Sequence, residues 1–128
     1  MSIDLKEVDR IKNVNHLIGD FLDEQNQLKI NNFFSDKLDL VVSDMAVNTT
    51  GNKNLDAIST GELSISAMEF SIKTLKKNGC FVSKIFMGSS FNEIVADAKK
   101  KFKEVNIYKP LSSRKDSKES FIICKFLR

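Results

Sequence analysis

The 128-residue sequence predicts an α/β fold in which a mostly parallel sheet is covered by helices and carries one reversed strand. Three observations support that expectation. Short runs rich in β-branched and aromatic residues alternate along the chain with stretches of helical period. Two Ser-x-x-Glu boxes mark helix starts between those runs. The last two runs are joined by a polar loop with no helix between them, which is how an antiparallel partner is connected.

The expected strands are residues 14–18, 38–43, 81–87, 105–108 and 121–127, whose near-continuous apolar character suits a sheet covered on its faces. Asp20 is read as the cap of a first helix running through Phe21, Leu22 and Leu28. Ser59-x-x-Glu62 opens a second, with Ile65, Met68, Ile72 and Leu75 on one face and Asn78-Gly79 as its stop. Ser90-x-x-Glu93 opens a third, whose Phe91, Ile94, Val95, Ala98 and Phe102 share a face.

One domain spanning 1–128 is the expectation from length, since a chain of this size builds a core without disulfides or a structural metal. No apolar run approaches the roughly 20 residues of a membrane span, and the first residues lack a basic-then-apolar leader, so the expected compartment is the cytoplasm and no membrane partner is expected. Cys80 and Cys124 sit in apolar runs without Cys-x-x-Cys spacing, and the single His16 cannot complete a zinc set with them. Buried, reduced thiols and no metal follow.

Charge is unevenly distributed. Residues 1–98 hold ten basic and fourteen acidic side chains, a net of −4, whereas residues 99–128 hold ten and three, a net of +7. A basic end of this kind favours a polyanion through phosphate contacts and counterion release. For Lys99, Lys100, Lys101 and Lys103 taken alone, a solvated helix surface is the better reading.

Polar residues gather where three buried strands end or begin, the edge at which open α/β sheets bind ligands. They are Ser43-Asp44-Met45-Ala46 with Asn48 and Gly51, the segment Val82-Ser83-Lys84-Ile85-Phe86, and the loop from Ser112 to Glu119. Lys84 stands out, because an ammonium inside an apolar run needs a partner or a lowered pKa.

At these residues the chain resembles the FtsJ-type ribosomal RNA 2'-O-methyltransferases. Leu40-Val-Val-Ser-Asp-Met-Ala-Val-Asn-Thr-Thr-Gly51 is similar to their Asp-Met-Ala-Pro-Asn-x-x-Gly segment, with Val47 in place of the proline. Val82-Ser-Lys-Ile-Phe86 resembles the strand bearing their central lysine, and Lys109-Pro-Leu-Ser-Ser-Arg-Lys-Asp-Ser-Lys-Glu119 resembles their Lys-Pro-x-Ser-Ser-Arg-x-x-Ser-x-Glu loop. Ile3-Asp4-Leu5 and Gly19-Asp20-Phe21 look like two acidic motifs on the cofactor side.

The resemblance implies a class I (Rossmann-like) methyltransferase sheet with helices on both faces and one antiparallel strand beside 81–87. In that arrangement Lys84 comes near Glu119 and Cys80 near Cys124, because antiparallel partners keep the sum of their residue numbers nearly constant. It also implies S-adenosylmethionine as cofactor, 2'-O-methylation of a uridine ribose as the reaction, and rRNA or the large ribosomal subunit as partner. Asp44, Lys84 and Glu119 match three members of the family's Lys-Asp-Lys-Glu tetrad. Asp4 matches the residue holding the adenosine ribose, Asp20 with Phe21 the pair gripping the adenine, and Asp44 serves the cofactor as well. Lys109, Arg114, Lys115 and Lys118 are the expected RNA contacts.

The first tetrad lysine and the Gly-rich first strand have no counterpart in these residues. The expectation is therefore an N-terminally truncated or split enzyme, one aided by a second chain that supplies the segment, or a remnant that binds RNA without catalysis. Weak cofactor binding by the chain alone and unpaired strand edges beside 3–5 and 38–42 follow from the same reading. The same tetrad acting on another RNA, such as tRNA, stays open.

Overall fold

Two short β-type runs near the amino end, neither able to stand alone, pair with each other. Strand β1 (Ser2–Asp4) lies parallel to β2 (His16–Ile18), with Ile3 opposite Leu17. The computed structural model describes residues 1–5, 9, 11–45, 53–86, 91–109 and 119–128. They form two compact units, Met1–Asp36 and Lys37–Arg128.

In the first unit β2 is shorter than the expected 14–18, and β1 lies one residue before the strand that the resemblance implied at 3–5. His16 fixes the pairing: its Nδ1 lies 2.6 Å from the Ser2 hydroxyl, while its Nε2 accepts the Ile11 N–H at 3.4 Å. Helix α1 (Glu24–Phe33) starts three residues later than a cap at Asp20 implies. Asp23 is the cap, accepting the Gln25 N–H at 2.9 Å, because the Asp20 carboxylate is already engaged in a turn with the Leu22 N–H at 2.9 Å.

The second unit is a four-stranded sheet in the order β3, β4, β6, β5, built from β3 (Leu38–Ser43), β4 (Leu75–Phe86), β5 (Phe102–Tyr108) and β6 (Glu119–Leu127). Strand β3 is parallel to β4, and β6 is antiparallel to both β4 and β5. The reversed strand thus inserts beside β4, as the sequence implied. Its register differs by one to two residues: Lys84 faces Phe121 rather than Glu119, and Cys80 faces Lys125 rather than Cys124. Lys84 and Glu119 still share a face, whereas Cys124 pairs with Phe81 and lies on the opposite face from Cys80. Both cysteines are free thiols.

Helix α2 (Lys53–Thr74) crosses from β3 to β4, and α3 (Phe91–Lys101) from β4 to β5. They touch each other and pack on the same sheet face. Ser59 and Glu62 therefore lie inside α2 rather than at its start, and Thr74 ends it before Asn78-Gly79. Those two residues instead fall in an irregular stretch of β4, where the pairing moves from Leu38 with Leu75 to Leu40 with Cys80. Gly79 belongs there, since a Cβ would meet the Lys76 carbonyl at 3.0 Å.

The face of α2 that meets the sheet is small: Ser64, Ala67, Met68, Ser71 and Thr74 are buried. Ser71 and Thr74 donate their hydroxyls to the Ala67 and Phe70 carbonyls, both at 2.8 Å, so their burial leaves no orphan polar group. Beneath the helices lie Phe81, Ile85, Ile94, Ala98, Phe102, Ile122 and Cys124, with Phe81 and Phe102 stacked 6.4 Å apart. Each such aromatic or aliphatic side chain contributes on the order of 1.5–3 kcal/mol when fully buried. Ile94 and Ala98 belong to the face expected of α3, while Phe102 already starts β5.

Strand β3 pairs only with β4 among the described residues, and β1 pairs only with β2. The expected open edge at 38–42 is thus present, with Leu40 and Val42 54% and 61% exposed. Among the described residues no helix is long and apolar enough to cross a membrane.

Candidate active site

The parallel ladder between β3 and β4 runs Val41 with Phe81, Val42 with Val82 and Ser43 with Ser83. Asp44 directly follows Ser43, the last residue of β3 in this ladder, and Lys84 directly follows Ser83. On the other side of β4, the Glu119 Oε1 lies 3.7 Å from the Lys84 Nζ. Lys84 thus pairs with a carboxylate from one neighbouring strand, while Asp44 follows directly on the end of the other. The lysine inside the apolar run has the partner its position demands.

Its main chain is held from the other face. The buried Ser64 hydroxyl of α2 donates to the Lys84 carbonyl at 3.0 Å. Ser83 reaches the same carbonyl at 3.2 Å and the Ser64 hydroxyl at 3.3 Å. Two small hydroxyl residues thus tie the helix to the peptide bearing the lysine, a link that sequence pattern does not reveal.

Two further residues of this edge are missing from the sequence-based set. Phe121 faces Lys84 across β4 and β6, and Tyr108 faces Phe121 across β6 and β5, giving a row of Lys84, Phe121 and Tyr108. Tyr108 is exposed. The register expected from Lys84 opposite Glu119 does not find them, because it is offset by two residues from the observed pairing. Lys109 follows directly and is exposed. Arg114, Lys115 and Lys118 lie outside the described residues, as do Asn48, Gly51 and Ser112.

In the first unit the pairing of Asp4 with Ile18 and the 2.8 Å bond from the Gly19 N–H to the Asp4 carbonyl bring Asp4 and Asp20 to the carboxyl ends of two adjacent parallel strands. Both are exposed, while Phe21 is buried and anchors the turn. The turn is braced by Asn26, which donates to the Asp20 carbonyl at 2.8 Å, and by Gln27, which donates to the Phe21 carbonyl at 3.0 Å. A Cβ on Gly19 would lie 2.6 Å from the Asn26 amide nitrogen, so the Asn26 side chain would have to shift. Two acceptor carboxylates on one rigid edge fit the hydroxyl and amine donors of a nucleoside.

Residues 1–127 match the model of the FtsJ-like methyltransferases. The chain belongs to that family. Among relatives of FtsJ-like type, it is 63% identical over its whole length to ribosomal RNA large subunit methyltransferase E of Pelagibacter ubique, covering 63% of that protein. The enzyme of the same name from Rickettsia akari is 43% identical over 96% of the chain, which covers 54% of it. The chain thus spans between half and two thirds of the length of these curated relatives. A crystal structure assigned as a ribosomal RNA methyltransferase from Plasmodium falciparum superposes with a TM-score of 0.84 at 28% identity, covering 98% of this chain and 70% of that one. Human methyltransferase-like protein 13, solved in complex with SAH, shares the fold, with a TM-score of 0.62 at 13% identity over 93% of this chain and 52% of that one. These neighbours place the α/β sheet among the Rossmann-like methyltransferases.

Proposed function

We propose that the chain carries the acceptor site of an S-adenosylmethionine-dependent methyltransferase acting on a ribose 2'-hydroxyl, at a uridine, of large-subunit rRNA. The observation that carries this is the Lys84–Glu119 ion pair at one end of the sheet, with Asp44 directly after β3, in a chain of the FtsJ-like family. The names of the Pelagibacter and Rickettsia relatives supply the substrate class.

A ribose hydroxyl is a poor nucleophile until its proton leaves, and a cation beside the oxygen stabilises the charge that develops as it attacks. Lys84 takes that place, its Nζ directed by Glu119, while Asp44 shares the task from the other strand. The hydroxyls of Ser64 and Ser83 hold the peptide from which Lys84 projects. S-adenosylmethionine, when bound, supplies an electrophilic methyl group. In the first unit Asp4 would hold the hydroxyls of its ribose and Asp20, with Phe21 fixing the turn, its adenine amine. Lys109, with Arg114, Lys115 and Lys118, holds RNA phosphates, and Phe121 and Tyr108 offer aromatic surface beside the lysine.

The test uses the chain and, separately, a chimaera in which residues 1–128 replace the matched part of the Pelagibacter relative. Each is incubated with methyl-labelled S-adenosylmethionine and large subunits lacking the modification. Label in an alkali-stable ribose of the rRNA, delivered by the chimaera, supports the proposal. Label on a base, label only on tRNA, or an inactive chimaera beside an active intact relative overturns it.

A further inference from the structure

The end of α3 carries Lys99, Lys100 and Lys101 in its last turn, followed by Lys103 in β5, and all four are exposed. The simplest account of cations at a helix C-terminus is complementarity to the helix dipole and its unpaired carbonyls. Here Arg128 already serves those carbonyls. Its backbone N–H donates to the Lys101 carbonyl at 3.0 Å and its Nε to the Lys99 carbonyl at 2.9 Å. Phe126, held at φ 62, sets the kink two residues before it, a left-handed backbone state unusual for a non-glycine residue.

The lysine side chains are thus not needed as caps, and they are not neutralised either. Among the described residues no carboxylate makes an ion pair with Lys99, Lys100, Lys101, Lys103 or Arg128, whereas Lys76 pairs with Asp39 and Lys84 with Glu119. Asp97, one turn back on α3, pairs with none of them, and Glu104 lies opposite Lys125. Five cations in one place repel one another, a cost that a bound polyanion removes.

Their place in the sheet separates them from the candidate active site. They cluster at the end of β5 where Phe102 pairs with Leu127, while Tyr108, at its other end, pairs with Phe121 beside Lys84. Six strand steps separate these ends, a span of about 20 Å. We infer that Lys99, Lys100, Lys101, Lys103 and Arg128 form a second RNA-phosphate surface, at the sheet edge opposite Lys84, which grips the RNA several nucleotides from the reacting ribose. The inference rests on the RNA reading above and adds a contact region that the expected set from Lys109 to Lys118 does not include.

The experiment compares the full chain with a variant carrying Lys99→Gln, Lys100→Gln and Lys101→Gln, measuring binding to a large-subunit rRNA fragment across a salt series by fluorescence anisotropy. Loss of three phosphate contacts lowers the slope of log affinity against log salt by about 2–3 and the affinity at low salt by at least about tenfold. Thermal unfolding keeps the variant interpretable, because relieving repulsion leaves it as stable as the parent or more so at low salt. An affinity within about twofold of the parent with an unchanged slope overturns the inference while leaving the RNA reading intact. Absence of salt-dependent RNA binding by the parent overturns both, and a loss confined to anionic phospholipid vesicles overturns the choice of RNA as partner.

Discussion

Replacing Ser64 with alanine tests how Lys84 is held, and the hydrogen bonds set the expected size of the effect. Ser64 is 2% exposed, and its hydroxyl donates to the Lys84 carbonyl at 3.0 Å while standing 3.3 Å from the Ser83 hydroxyl. A buried hydrogen bond of this type contributes about 0.5–1.5 kcal/mol net, so Ser64→Ala costs about 1 kcal/mol. For a domain of this size that lowers the melting temperature by about 3–5 °C. Ser83→Ala costs no more, because Ser64 still reaches the same carbonyl. The double variant leaves that carbonyl without either hydroxyl, and its loss exceeds the sum of the singles by about 0.5–1 kcal/mol. Urea unfolding followed by circular dichroism of the four proteins yields the cycle. Additive losses, or a Ser64→Ala protein within about 0.3 kcal/mol of the parent, refute the view that the two serines share the Lys84 peptide.

Three further outcomes follow from the same geometry. Glu119→Gln changes stability by less than about 1 kcal/mol, since the ion pair is partly open to water, yet it slows methyl transfer by the chimaera at least about tenfold; equal rates remove Glu119 from the site. Burial pushes the Cys124 thiol up to about 12 and also raises Cys80, with Lys125 opposing the shift at Cys80. The folded state therefore prefers the protonated thiol, and its contribution to stability is complete below the ordinary thiol range and is lost as pH rises from there towards about 12; urea unfolding of the parent against Cys124→Ala shows a steeper alkaline decline for the parent, and parallel profiles contradict this. Leu40 and Val42 stand exposed on an edge strand paired on one side among the described residues, so Val42→Lys reduces concentration-dependent association in sedimentation experiments, and unchanged association excludes that edge as its source.

Much of the second unit was legible because its signals are local or fixed by chain connectivity. The bounds of β3 match the expected run, and the polar sequence between the last two apolar runs, read as a loop, foretold a reversed strand. Lys84 was conspicuous as a charge inside an apolar run; its nearness to Glu119 was legible only through the family resemblance, and the observed register sets Lys84 opposite Phe121, two residues from the expected partner. The helix starts were less readable. Ser59 and Glu62 have the form of a capping box yet lie inside α2, where the buried stripe of Ser64, Ala67, Met68 and Ser71 continues the helix on the sheet. Asp20 and Asp23 are equally good caps by composition, and only the competing Leu22 N–H assigns the role to Asp23. Ser64 and Ser83 were silent because the bonds they make to the Lys84 peptide depend on how α2 lies against β4, which periodicity does not encode.

The central claim is that Lys84 assists attack by a ribose oxygen, and the most direct measurement is methyl transfer by the chimaera with Lys84 intact or replaced by alanine. Labelled rRNA from each reaction is digested with alkali, and binding to the same RNA is measured in parallel. The account predicts an alkali-stable labelled dinucleotide with Lys84 present, a rate lower by at least about 100-fold with Lys84→Ala, and RNA affinity within about twofold in both. Turnover retained in Lys84→Ala, or a loss of rate matched by an equal loss of RNA affinity, contradicts it.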